Sequence, residues 1–116
     1  MARWSQRSRA AADGVDARVT LAVEHLATGP GDVRERLKAV YLDLMPLTAE
    51  RCPEELRGDF DWVMAQLTRY PATRRNEAWV DATMRRIRNS TGQRIAERVC
   101  SMYMDIQDAL SEHPVE

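Results

Sequence analysis

The chain has 116 residues, 44% of them hydrophobic and 30% charged, with a formal net charge of −1. That length suffices for one buried core, and the composition is that of a folded domain rather than a disordered segment. A charge this close to zero supplies no overall field for nucleic acid or an anionic membrane, and two Cys and two His without metal-ligand spacing predict no zinc or haem.

In chain order, the N-terminal MARWSQRSRAAADG is basic but lacks the apolar stretch of a secretory signal, and no run approaches the ~18 apolar residues of a membrane span. The expected location is the cytoplasm, with reduced thiols. Residues 1–12 are either a flexible basic arm or an extension of the first helix, since Ala10-Ala11-Ala12 favours helix. The first helical stripe follows, with Val15, Val19, Ala22 and Leu26 at i, i+4, i+7 and i+11, and Gly29-Pro30-Gly31 ends it. Val33, Leu37, Val40 and Leu44 repeat those offsets in a second helix that stops near Pro46. A third runs through Leu56, Phe60, Val63 and Leu67, beginning at Pro53, with Glu54 and Glu55 at the positive end of its dipole.

Tyr70-Pro71 closes the third helix, because a residue before proline is pushed out of the α region. A fourth is predicted from about Asn76 to Arg88 through Val80, Thr83, Met84 and Ile87, with Trp79 at its edge. Asn89-Ser90-Thr91-Gly92 is expected to break it, Ser90 and Gln93 having the spacing of a capping box. A fifth helix extends to about Leu110 through Ile95, Val99, Met102, Ile106 and Ala109. No period-two pattern calls for strands and no repeat is evident, so the expected fold is all-α, a compact bundle of about five short amphipathic helices forming one domain over residues 1–116. Its predicted core contains Val19, Leu26, Leu37, Leu44, Phe60, Val63, Met84, Ile95, Val99 and Ile106.

Three features could serve a function. Residues 69–98 hold eight Arg against Glu77, Asp81 and Glu97, whereas residues 99–116 hold only acids. Arg74, Arg75, Arg85, Arg86 and Arg88 are the candidates for phosphate contact and nucleic-acid binding. The bland alternative is a solvated face in a chain whose basic residues are all Arg except Lys38, a bias that a GC-rich genome also produces. Helical spacing splits the patch, with Arg85 and Arg88 on one flank and Arg86 on the other beside Trp79, and Asp81 with Arg85 has the order of an i, i+4 ion pair. A helix-turn-helix over residues 85–103 would turn Arg88 and Arg98 into its core, which disfavours it.

Trp62 is the second feature: it falls on the polar side of its helix with Gln66 and Arg69, where it is either covered by another segment or open to a partner. The third is an apolar edge of the last helix, where Cys100, Tyr103 and Met104 widen the stripe. A central helix touched on two sides explains that edge, and so does a seam between chains. For catalysis the inventory is thin: His25 lies in a surface register, His113 in a tail, and Cys52 before Pro53, where capping the third helix would favour a thiolate. No Gly-rich phosphate loop or metal-spaced carboxylate pair occurs.

The stretch Arg34-Glu35-Arg36-Leu37, Ala39-Val40-Tyr41, Leu44, Leu47, then Pro53-Glu54-Glu55-Leu56-Arg57, Phe60 and Leu67-Thr68 resembles short helical proteins that recur in bacteria without an assigned function. It covers about a third of the chain, and its residues are those of cores and caps; it implies a bacterial helical protein and no activity, cofactor or site residue. The expectation from these readings is a non-enzymatic interaction module whose partner is another protein or a second copy, through Trp62, Gln66, Arg69, Cys100 and Met104. Nucleic-acid binding through the arginine-rich region is the alternative.

Overall fold

A computed structural model describes residues 3–111, so His113 and the final acids Glu112 and Glu116 lie outside the described residues. The fold is all-α, with no strand among the described residues. Its elements are α1 (Gln6–Thr28), α2 (Val33–Leu44), α3 (Arg57–Leu67), α4 (Trp79–Met84) and α5 (Asn89–Ser111), with 3-10 turns at Ala49–Arg51 and Glu54–Leu56. No described helix is long and apolar enough to cross a membrane.

Helix α1 begins earlier than its first stripe requires. Ser5 caps it by accepting from the Ser8 amide at 3.0 Å, and Ala12, Val15, Val19 and Ala22 are buried, so residues 6–12 extend the helix rather than forming an arm. Gly31, at φ +76°, supplies a left-handed residue in the link to α2. Asp32 then caps α2, accepting from the amides of Arg34 at 3.0 Å and Glu35 at 3.3 Å. Those bonds, with the Arg34 guanidinium first among the causes, hold the Asp32 carboxyl below its usual range.

The third helix departs from expectation at its start. Pro53 opens the 3-10 turn Glu54–Leu56 through a Leu56 amide bond to its carbonyl at 2.9 Å, and α-geometry begins only at Arg57. Arg57 pins this corner, Nε reaching the carbonyls of Ala49 at 3.2 Å and Cys52 at 3.3 Å. Cys52 is consequently a buried link rather than a cap, and burial, aided by Asp61, pushes its thiol up to about 11. The thiolate anticipated for a helix-capping cysteine is disfavoured.

The fourth helix is shorter than its stripe. Glu77 accepts from the amides of Thr73 and Arg74, both at 3.2 Å, and Asn76 sits at φ +59°, so residues 73–77 form a loop and α-geometry covers only Trp79–Met84. Buried Thr83 donates to the Trp79 carbonyl at 2.8 Å and accepts from the Tyr70 amide at 2.9 Å, fastening the loop to α4. The expected break at residues 89–92 is instead the first turn of α5, whose boundary lies at residues 85–88, and Ser90 with Gln93 forms no capping box. Gly92 is needed there for proximity: an added Cβ would stand 3.1 Å from Val33 Cγ1 and 3.4 Å from Leu37 Cδ1. The start of α2 and the start of α5 therefore meet nearly backbone to side chain.

α1 lies against both α2 and α5, and α3 closes the far side of α5. Nine of the ten predicted core residues are buried; Leu26 is half-buried and packs at the core's edge.

Candidate functional site

Beside Leu26 the packing of α1, α2 and α5 leaves an open cleft of about 620 Å³. One wall comes from Val23, Leu26 and Ala27 of α1, with Val33 and Arg36 of α2 at one end. The other wall is α5, and the residues it contributes follow helical spacing. Gln93, Ala96, Cys100 and Met104 recur at i, i+3, i+7 and i+11, and beside them run Glu97, Ser101, Asp105 and Asp108 at i, i+4, i+8 and i+11. The wide stripe read on the last helix is thus two faces: Val99, Met102 and Ile106 enter the core, while Cys100 and Met104 face the cleft. Met104 is 62% exposed. Burial, and then Glu97, raise the Cys100 thiol, so it is held as a neutral apolar group.

Acids outnumber bases among the described residues that line the cleft. Glu97, Asp105 and Asp108 have no basic partner among the described residues. Partial burial raises the Asp105 carboxyl, and the neighbouring charges of Asp59 and Asp108 add to that rise. Among the described residues one cation lines the cleft: Arg36 donates from Nη1 to the Leu26 carbonyl at 3.0 Å, while its buried Nε finds no acceptor among them.

Trp62, on α3, lies beside the ridge of α5 that carries Glu97 and Ser101. It is half-buried rather than open: the Arg98 guanidinium stands 4.5 Å over its ring and is anchored to Asp59 at 3.0 Å. Gln66 is half-buried and Arg69 is exposed, its guanidinium turned toward Tyr70. A shallow hollow lined by Trp62, Arg94 and Arg98 shares Glu97 and Ser101 with the large cleft. The two proposed partner-binding edges are therefore neighbours across one ridge of α5, although only residues 100 and 104 face the large cleft.

The arginine-rich region is also rearranged. Because α4 ends at Met84, Arg85 turns back to Glu77 at 2.7 Å, and Asp81 pairs with Lys38 at 3.6 Å instead of with Arg85. Arg85 and Arg86 both reach the Thr73 hydroxyl, at 2.8 and 3.3 Å, so they converge where helical spacing separated them. Arg74, Arg75 and Arg88 stay exposed without a carboxylate partner among the described residues.

The bond from Arg85, with help from the Thr73 and Arg74 amides, lowers the Glu77 carboxyl from its usual 4.5 to about 2. A folded-state value below the unfolded one contributes stability that is complete above pH 4.5 and lost as pH falls toward 2. Glu77→Gln is expected to flatten the acid limb of a stability profile between those values; an unchanged limb in acid titration followed by circular dichroism would refute this role.

No protein-family model, curated protein or solved structure matches this chain. One contact escaped the sequence reading entirely. His25 Nδ1 lies 2.6 Å from Asp43 Oδ2, joining α1 to α2, and the Asp43 carboxylate is buried. Eighteen residues separate the pair, and neither has a helical neighbour that signals it. No described group of three or more His, Cys, Asp or Glu residues is arranged to hold a metal ion.

Proposed function

We propose that this protein is a non-enzymatic helical interaction module, an accessory or regulatory subunit of a bacterial assembly or a homo-oligomer, acting in the cytoplasm. The observation that supports this reading is the edge at Cys100 and Met104, which the bundle leaves along an open apolar cleft. Covering such a surface releases water from apolar area at roughly 25 cal/mol per Å² before the costs of association. An uncovered Met beside small apolar residues suits a packed protein contact.

Met104→Asp is expected to leave helicity and melting temperature close to wild type while abolishing self-association in sedimentation velocity or capture of the native partner. Unfolding of this variant would make Met104 a core residue and remove the interface. Trp62→Ala is expected to behave differently, costing about 1–2 kcal/mol in denaturant titration because its ring packs under Arg98. A cost near zero would show that the stacked pair holds nothing together.

Exposed Arg74, Arg75 and Arg88 favour a second reading, phosphate contact with a nucleic acid. The primary reading expects no tight complex with DNA or RNA in mobility-shift assays at moderate salt. Binding with a steep salt slope, abolished by replacing Arg85, Arg86 and Arg88 together, would decide for the second.

A further inference from the structure

We infer that the cleft between α1 and α5 receives a cationic amphipathic helix of a partner protein, its apolar side seated on Val23, Leu26, Cys100 and Met104 and its basic side facing Glu97, Asp105 and Asp108. This rests on the interaction-module reading and names the chemistry of the partner. Length supports a helix as occupant: α5 lines the cleft from Gln93 to Asp108, sixteen residues at ~1.5 Å each, or about four turns. An apolar stripe beside a charged one, both at helical spacing, complements the i, i+3, i+4, i+7 pattern of a helix laid in a groove.

Charge selects the partner's sign. The three carboxylates have no basic partner among the described residues, and Asp105 is further crowded by Asp59. Lys or Arg side chains laid along this rim would relieve that repulsion while their aliphatic stems cover the apolar wall. A second copy of this chain fits less well. A two-fold seam through the cleft would set Glu97, Asp105 and Asp108 against their own counterparts.

The test is fluorescence anisotropy of the full chain with two labelled synthetic 18-residue helices, one with Leu and Lys faces and one with Leu and Glu faces. The Lys peptide should bind at least about tenfold more tightly, with affinity falling as salt rises. Glu97→Gln, Asp105→Asn and Asp108→Asn combined should weaken it by about tenfold, since exposed ion pairs are individually modest. Met104→Gln should weaken both peptides, and circular dichroism should show each variant folded. Equal binding of both peptides, or unchanged Lys-peptide binding by the triple variant, overturns the inference. If neither peptide binds but wild type self-associates through Met104, the inference falls and the interaction-module reading stands. If neither binds and the chain sediments as a monomer unaffected by Met104→Asp, both lose their support.

Discussion

Phe60→Ala should destabilise the protein by roughly 3–5 kcal/mol in denaturant titration, the usual range for emptying a buried aromatic site. Phe60 is the only phenylalanine in the chain, it is 4% exposed, and it belongs to the single cluster that joins α3 to the other helices. The loss combines apolar transfer with the void left among neighbours that relax only in part. Phe60→Leu, which keeps much of the volume, should cost far less, about 1.5 kcal/mol or below. A loss under about 1 kcal/mol for the alanine variant would mean that α3 does not present this face to the core.

His25→Ala should cost about 1–3 kcal/mol, because it leaves a buried acceptor without its partner. The Asp43 side chain is 7% exposed and its one hydrogen bond among the described residues goes to His25, which at 39% exposure can itself turn to water. The cost is therefore asymmetric, and residue by residue it falls on the carboxylate. Replacing both residues by Leu should recover most of the loss, since a pair of apolar groups leaves no polar atom stranded. If His25→Ala melts with wild type, Asp43 is reached by water and the pair does not clamp α1 to α2.

Local chemistry explains which parts of this protein can be read without coordinates. Apolar residues at three- and four-residue spacing identify five helices and nine of ten named core residues correctly, because burial of one helical face is recorded in neighbouring positions. Boundaries are less legible where a side chain captures the backbone. The stripe through Val80 and Ile87 extends beyond Trp79–Met84, yet Glu77 holds the Thr73 and Arg74 amides and turns the preceding residues into a loop. Likewise Gly92 reads as a helix breaker in isolation, but its missing Cβ admits Val33 and it lies inside α5.

By itself the sequence determined the helical class, the faces that form the core and the excess of arginine in residues 69–98, all of them properties of composition and short-range spacing. Only the tertiary structure decided that Trp62 is sheltered by Arg98 while Met104 stays open, although both stand off the main stripes of their helices. It also decided that Arg85 answers Glu77 and His25 answers Asp43. The physical reason is that a stripe records that a face is buried but not which element buries it. Side-chain pairs and the cleft beside α5 arise from how separate faces are juxtaposed, which spacing along one helix does not encode.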